Sequence, residues 1–419
     1  MLHRLAWTVV SGALLVVLPS AARDKTFLQH AVEGKDIWAA DISPDNRFLA
    51  AYRIDFGNPK LPKREIQIWD WQKKEVVIRK AISRDPRPSA SSLTAPMENP
   101  ESFVKYVGSG EKLAFYDEGH ILVFDSKTLD MLKDVDLQAA QWPQPRSIKL
   151  PTLREMVSSS YVADIEFSSA AACAAVLIRH PGYESGELRV YDLDSGKLLR
   201  AWSFINTASD VTAFYKARRE SLERPIAIDS SGQLVAISLC ELRPIDQSLA
   251  TNNGNVLVLD VVTGQLRSTI QTDSSLGDSI SFSSGIAPFL FTLSIDTSAK
   301  KASGAIQVWD SASGKLLRQI LAPNSAQGYI DSSEDGRTIL VYLLDVKNKI
   351  YPLGMESGLV VAHRKLAILD STTGKVKAIT SDFWPGQWIS HPRYRLSPKG
   401  DLVLAYRQLV TPLYVFEIP

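Results

Sequence analysis

The chain has 419 residues, of which 45% are hydrophobic and 22% are charged, as in an ordinary globular protein. Its formal net charge of +1 argues against a dedicated nucleic-acid-binding protein, which would carry a clear excess of basic residues. Gly, Pro and Ser are frequent and no sustained helical period of hydrophobic residues is present, so the composition predicts many short strands.

The first residues predict a secretory signal peptide. Arg4 provides a basic start, residues 5–18 are mostly apolar, and residues 20–22 are the small residues that a signal peptidase requires. The apolar stretch is shorter than a membrane span of roughly 20 residues, and an uncleaved anchor is the alternative interpretation. We therefore expect a signal peptide at residues 1–22, export to the periplasm or the cell exterior, and no transmembrane span after cleavage.

A short pattern recurs along the rest of the chain: a β-rich run ending in an acid, a turn, and a second β-rich run. The clearest copy is IQVWDSASGKLLRQIL at residues 306–321, and the last copy is truncated to LYVFEIP at residues 413–419. The acids that close the first run are Asp70, Asp125, Asp192, Asp260, Asp310, Asp370 and Glu417. A Ser-Pro-Asp-Gly-type turn and an apolar strand precede many copies, so each repeat predicts four strands, a to d, joined by hairpins.

Seven such repeats predict an all-β protein, a single seven-bladed β-propeller of four-stranded antiparallel blades over residues 25–419. One sheet of this kind cannot bury both faces alone, whereas a closed ring of sheets leaves no long exposed edge. The last repeat lacks an outer strand because only two residues follow Glu417. We expect the N-terminal strand at residues 26–32 to pair with the final strand c and close the ring.

The Trp-Asp endings at residues 68–70 and 308–310, together with the Ser-Pro-Asp-Gly-type turns, resemble the WD-repeat family. The D-x-x-T-G-K phrase is also similar to bacterial quinoprotein-type and surface-layer-type propellers. The resemblance covers about residues 25–419 and implies the propeller fold rather than a particular activity. The Gly-His pair that opens a typical WD repeat is missing, and these repeats are longer than the usual ~40–45 residues.

The extra length lies on one side of the predicted ring. The a–b and c–d turns of a four-stranded meander share one face, here called the turn face, and the b–c and d–a connections share the opposite loop face. The long connections all belong to the loop face and comprise residues 54–65, 83–101, 138–160, 205–224, 242–254 and 345–364. We expect this face to bind a partner. The alternative explanation is that surface loops tolerate insertions because lengthening them costs little free energy.

Aligning the b strands gives the sharpest candidate site. The position at which strand b reaches the loop face is Arg53 in blade 1, Asp117 in blade 2, Arg179 in blade 3 and Arg407 in blade 7. Arginines around one mouth predict a site for a carboxylate, a phosphate or an acidic side chain. The alternative is structural pairing between blades, with Asp117 between Arg53 and Arg179.

Three further residues of the long connections are candidates for partner binding. Trp142 and Arg146 lie together in the connection at 138–160, where an aromatic residue beside a cation can form a recognition surface. His180 lies on the predicted loop face directly after strand b of blade 3. The alternative interpretation is that His180 is a surface or capping residue without a binding role. Residues 214–224, FYKARRESLER, are the one stretch that predicts a helix.

The chemistry-bearing residues predict no catalytic or metal site. Metalloprotease, nucleophile-elbow, phosphate-loop and Cys-x-x-Cys motifs are absent, and the six histidines are dispersed. Cys173 and Cys240 lie in apolar runs, so we expect buried free thiols, with an inter-blade disulfide as the alternative. We expect a non-enzymatic scaffold without a cofactor that binds a protein or peptide. One alternative is a lactonase- or quinoprotein-like propeller enzyme with a central site on the loop face. Another is recognition of a polysaccharide by tryptophans on the rim.

Overall fold

Seven antiparallel sheets form a ring in the computed structural model of the chain. It describes residues 15–16, 28–32, 37–55, 63–82, 104–117, 119–137, 161–179, 185–206, 224–239, 242–244, 256–272, 278–283, 288–296, 303–321, 327–349, 358–381, 393–406 and 413–418. Two short strands precede the first blade, β1 (Leu15–Val16) and β2 (Leu28–Val32). Within these ranges the only helical element is a 3-10 turn at Gly108–Gly110, so the all-β prediction is confirmed.

The first three blades follow in chain order, each with strands a to d from the channel outward. Blade 1 comprises β3 (Ile37–Ile42), β4 (Phe48–Asp55), β5 (Lys63–Asp70) and β6 (Glu75–Ala81). Blade 2 comprises β7 (Val104–Val107), β8 (Lys112–Asp117), β9 (His120–Asp125) and β10 (Met131–Asp136). Blade 3 comprises β11 (Tyr161–Phe167), β12 (Cys173–Arg179), β13 (Ser185–Asp192) and β14 (Lys197–Asn206).

The remaining four blades repeat this order. Blade 4 comprises β15 (Ile226–Ile228), β16 (Leu234–Ser238), β18 (Val256–Asp260) and β19 (Leu266–Ile270), and the intervening β17 (Leu242–Pro244) pairs with β14 of blade 3. Blade 5 comprises β20 (Asp278–Phe282), β21 (Phe289–Asp296), β22 (Ser303–Asp310) and β23 (Lys315–Leu321). Blade 6 comprises β24 (Gln327–Ser332), β25 (Thr338–Lys349), β26 (Gly358–Asp370) and β27 (Val376–Ser381). Blade 7 comprises β28 (Arg393–Leu396), β29 (Leu402–Tyr406) and β30 (Leu413–Glu417).

The N-terminal strand completes the last blade, as predicted. β2 pairs antiparallel with β30, and His30 lies opposite Val415 in the ladder. Blade 7 therefore has the order β2-β30-β29-β28, so one sheet contains the second strand of the chain and its last three. Further upstream, Leu15 and Val16 pair in parallel with the outer strand β23 of blade 5.

The seven recurrent acids all end strand c, as the repeat pattern predicts. Asp370 shows why an acid suits this position. Its Oδ1 accepts hydrogen bonds from the Thr373 backbone N–H at 2.8 Å and from the Thr373 hydroxyl at 2.9 Å. Burial would favour the neutral acid, but the hydrogen bonds from Thr372 and Thr373 outweigh it and lower the pKa of Asp370 from 3.8 to about 2.

Apolar side chains from neighbouring blades form the core. Tyr52 of blade 1 packs on Phe115 of blade 2 with ring centroids 4.3 Å apart, and Tyr342 of blade 6 packs on Tyr394 of blade 7 at 5.0 Å. These four side chains are fully or almost fully buried. Since each sheet buries both faces against its neighbours, the strands carry long runs of apolar residues, which accounts for their hydrophobic composition.

Two connections differ from the sequence interpretation. Residues 345–364 were predicted to form a long loop, but β25 continues to Lys349 and β26 already begins at Gly358. The prediction was wrong there because both ends of the segment continue to pair with each other as strands, past a bulge at Asp345. Residues 242–244 were also assigned to a loop and instead form β17, an added outer strand of blade 3. The predicted helix at 214–224 lies outside the described residues except for Arg224.

Two further observations concern the cysteines and the membrane. Cys173 is a buried free thiol, and Cys240 lies outside the described residues. Burial, reinforced by the carboxylates of Asp192 and Asp194, raises the pKa of Cys173 to about 11, so the unreactive thiol form is favoured. In the described ranges, no helix has the length and apolar character needed to traverse a bilayer.

Candidate functional site

The structure describes three of the predicted loop-face residues. Arg53 lies near the end of β4, and Asp117 and Arg179 are the last residues of β8 and β12. All three lie where strand b reaches the loop face, as the alignment predicted. The remaining candidates lie outside the described residues: Arg407, Trp142, Arg146 and His180.

Asp117 forms an ion pair between blades. Nη1 of Arg64, at the start of β5 in blade 1, lies 3.0 Å from Oδ1 and 3.1 Å from Oδ2 of Asp117. The side chains are only 13% and 7% exposed. Removing one partner would leave a buried charge without compensation, so this contact favours the structural interpretation of Asp117. The alignment missed Arg64 because it compared b strands, and Arg64 lies on strand c.

A second group of seven residues, five of them charged, lies on the innermost strands at one equivalent ladder position. This position is the residue of strand a that lies opposite the third residue of strand b in the same blade. In order from blade 1 to blade 7 these residues are Asp41, Lys105, Glu166, Ala227, Ser281, Asp331 and Arg395. Arg224, just before β15, adds a third cation. Three cations and three carboxylates thus converge on the central channel.

Ion pairs cross this channel between blades that are distant in the chain. Nη1 of Arg395 lies 3.8 Å from Oε1 of Glu166, which joins blade 7 to blade 3. Nη1 of Arg224 lies 4.0 Å from the same Glu166 oxygen and 3.5 Å from Oδ1 of Asp331, which joins blades 3, 4 and 6. The two guanidinium groups therefore bridge opposite walls of the ring.

Two of the carboxylates also satisfy backbone donors of the next blade. Oδ2 of Asp41 accepts a hydrogen bond from the Tyr106 backbone N–H at 2.8 Å, and Oδ2 of Asp331 accepts one from Leu396 at 3.0 Å. An innermost strand has no further strand on its channel side, so its inward N–H groups need other acceptors. These two acids therefore have the same structural role at the same ladder position, one in blade 1 and one in blade 6.

Burial and charge act in opposite directions on the channel residues. Burial raises the pKa of Asp41, and Lys105, whose Nζ lies 3.5 Å from Oδ1, together with the Tyr106 N–H only partly offsets this rise. Burial would lower the pKa of Arg395, but the carboxylates of Glu166 and Asp331 outweigh it and raise that pKa further. Arg395 is therefore a permanent cation although it is only 7% exposed.

A cavity of about 80 Å³ lies among these groups. Its charged lining consists of Lys105, Glu166, Arg224, Asp331, Glu334 and Arg395. Ser169, Ser230 and Pro398 of the a–b turns also line it, so the cavity lies toward the turn face. The sequence predicted a site on the loop face, and none of these cavity residues was among its candidates.

A sequence signal for the channel residues does exist. Asp41, Glu166, Asp331 and Arg395 each stand two residues before the serine that begins an a–b turn. A charge at one repeated position of otherwise apolar inner strands indicates a shared place in the ring. The arrangement of the blades in space determines which of these charges lie close together. A linear alignment of the repeats does not contain this information.

The described part of the chain contains no group of three His, Cys, Asp or Glu residues suited to holding a metal ion. The ring of seven four-stranded blades is a β-propeller architecture, which proteins of many functions share, so the architecture alone assigns no activity. Neither a protein-family model nor a curated protein matches this chain.

Proposed function

We propose that this protein is an exported, non-enzymatic β-propeller of a WD-repeat-like bacterial type that binds a protein or peptide partner through its loop face. The observation that carries the proposal is the difference between the two faces of the ring. One face consists of short turns bonded to one another, and the other carries the long connections. Binding residues are commonly presented on loops held by a rigid scaffold.

The turn face is closed by backbone hydrogen bonds between neighbouring blades. The Ser109 N–H donates to the Ser169 carbonyl at 2.9 Å, the Ala171 N–H donates to Ser230 at 2.8 Å, and Glu334 N–H donates to Pro398 at 2.9 Å. These contacts fix the positions of the blades relative to one another. They support a scaffold whose loop face is held in a fixed arrangement.

The loop face carries the elements that depart from the regular repeat. The β25–β26 hairpin pairs as far as Lys349 and Gly358, with one bulge at Asp345, and is longer than the corresponding pair β4 and β5 of blade 1. β17 adds a fifth strand to blade 3 next to the end of β14. Elements that differ between blades distinguish one part of the loop face from another, as recognition of a specific partner requires.

The proposed export would leave the ring-closing strand in place. β2 begins at Leu28, downstream of the predicted cleavage point at residue 22. Cleavage there would therefore retain the pairing of β2 with β30 and leave the seventh blade complete.

The test compares arginine variants on the two faces. The mature protein is used to capture partners from the native cell envelope, and the captured partner is purified and titrated by calorimetry. We expect the double variant R53A/R407A to bind at least about tenfold more weakly, as expected for lost charge-assisted hydrogen bonds, with little change in Tm. The matched control is R47A/R337A on the turn face, whose side chains are 55% and 78% exposed.

Two outcomes would contradict the proposal. If R47A/R337A loses affinity while R53A/R407A keeps it, the partner binds the turn face. If R53A/R407A unfolds at a much lower temperature than the wild type, these arginines are structural. Asp117 already has such a structural role through its ion pair with Arg64.

A further inference from the structure

The charged groups of the channel cavity are further apart than hydrogen-bonded ion pairs. Charge-assisted N–H···O bonds span about 2.7–2.9 Å, whereas Arg395 lies 3.8 Å and Arg224 lies 4.0 Å from Glu166. Among the described residues, the Arg395 guanidinium and the Glu166 carboxylate form no hydrogen bond. Arg395 is more than nine-tenths buried and lines the cavity, and its guanidinium carries five N–H donors.

The size of the cavity limits what these donors and acceptors can bind. One water needs about 10–15 Å³ of such volume, so about 80 Å³ corresponds to roughly five to eight water-sized positions. The space therefore suits ordered water or an organic molecule with a similarly small number of non-hydrogen atoms.

The charge of the lining limits the ligand further. Lys105, Arg224 and Arg395 are balanced by three carboxylates that line the same cavity, those of Glu166, Asp331 and Glu334. A simple anion would be repelled by the carboxylates, and a simple cation by the guanidinium groups. A molecule that carries both charges matches both halves of the lining.

We propose that this cavity binds a small zwitterion with one carboxylate and one ammonium group, the chemistry of a free α-amino acid. The ligand carboxylate faces Arg395 and Lys105, where the planar guanidinium offers paired donors. The ammonium group faces Glu166 and Glu334, because Asp331 already accepts the Leu396 N–H and pairs with Arg224. This site lies toward the turn face and is separate from the loop-face site.

The test is a calorimetric titration of the mature protein with glycine, alanine and serine, and with acetate and methylammonium at equal ionic strength. We expect the amino acids to bind and to raise Tm, with a larger rise for a tighter ligand at equal concentration. The two single-charge probes should bind at least about tenfold more weakly. The proposal fails if either single-charge probe binds as tightly, or if no amino acid binds at about 10 mM, well above a Kd of about 1 mM.

Matched variants locate the binding. E334Q removes a cavity carboxylate, and E111Q makes the same change at an exposed glutamate beside the a–b turn of blade 2. We expect at least about tenfold weaker amino-acid binding for E334Q and wild-type binding for E111Q. K105Q tests the opposite end of the ligand and should weaken binding likewise. Unchanged affinity in both E334Q and K105Q would place the binding elsewhere and overturn the proposal.

Discussion

The guanidinium of Arg395 in blade 7 and the carboxylate of Glu166 in blade 3 face each other across the central channel, with Nη1 3.8 Å from Oε1. The two residues occupy equivalent ladder positions of their inner strands. The contact therefore joins parts of the ring that share no hydrogen-bonded sheet. It complements the pairing of β2 with β30, which closes the ring at its seam.

We expect R395M to be strongly destabilising. Methionine fills part of the volume but leaves Glu166 with Arg224, 4.0 Å away, as its remaining cationic partner. Breaking a buried ion pair by removing one member costs about 3–5 kcal/mol. Urea unfolding measures the free energy of unfolding. R337M is the matched control, because Arg337 is 78% exposed, and a change within about 0.5 kcal/mol is expected there. Equal effects of the two variants would show that the channel ion pairs contribute no stability.

The Arg64–Asp117 pair can be tested by a double-mutant cycle. R64M and D117N each remove one member of a buried pair with atoms 3.0 Å apart. Each variant should lower the free energy of unfolding, and the double variant should lose less than the sum, with a coupling of about 0.5–3 kcal/mol. Strictly additive losses would show that the contact does not link blades 1 and 2.

The sequence predicted the ring because its determinants are local. Asp310 at the end of strand c, Gly314 in the following turn and the apolar runs beside them specify one hairpin, and repetition specifies seven blades. The pairings between blades are not local. Arg64 reaches Asp117, and Arg395 reaches Glu166, only after the ring has formed. The alignment of b strands therefore gave the correct position of Asp117 without its partner.

Deletion of residues 26–32 should destabilise the whole ring. β2 is the outer strand of blade 7 and its only neighbour in that sheet is β30, so deletion exposes the edge of the final strand. Thermal unfolding is the measurement. The control is an equally long deletion, residues 86–92, within a stretch that the sequence predicts to be an exposed loop. A transition at the wild-type temperature after deletion of 26–32 would contradict closure by this strand.

Acid should destabilise the protein through its turn aspartates. The pKa of Asp370 is lowered from 3.8 to about 2 in the folded protein. A lowered pKa means that the stabilisation is present above about pH 4 and is lost as the pH falls through about 2. Urea unfolding over this range should show a smaller pH dependence for D370N than for the wild type. D130N, at a side chain that is 71% exposed, should keep the wild-type dependence; equal slopes for all three proteins would contradict this role.

Two turn glycines provide a matched comparison of backbone constraints. Gly264 and Gly314 both follow the acid of strand c and have φ of +77° and +68°, where a side chain costs about 1–2 kcal/mol. A Cβ at Gly314 would also collide with the Thr269 carbonyl oxygen, whereas at Gly264 it would meet Nε of Arg200 at 3.3 Å. A backbone carbonyl in a sheet cannot move aside, but a long side chain can. We therefore expect G314A to be more destabilising than G264A in urea unfolding, by about 1–3 kcal/mol; equal losses would mean that the positive φ alone determines the cost.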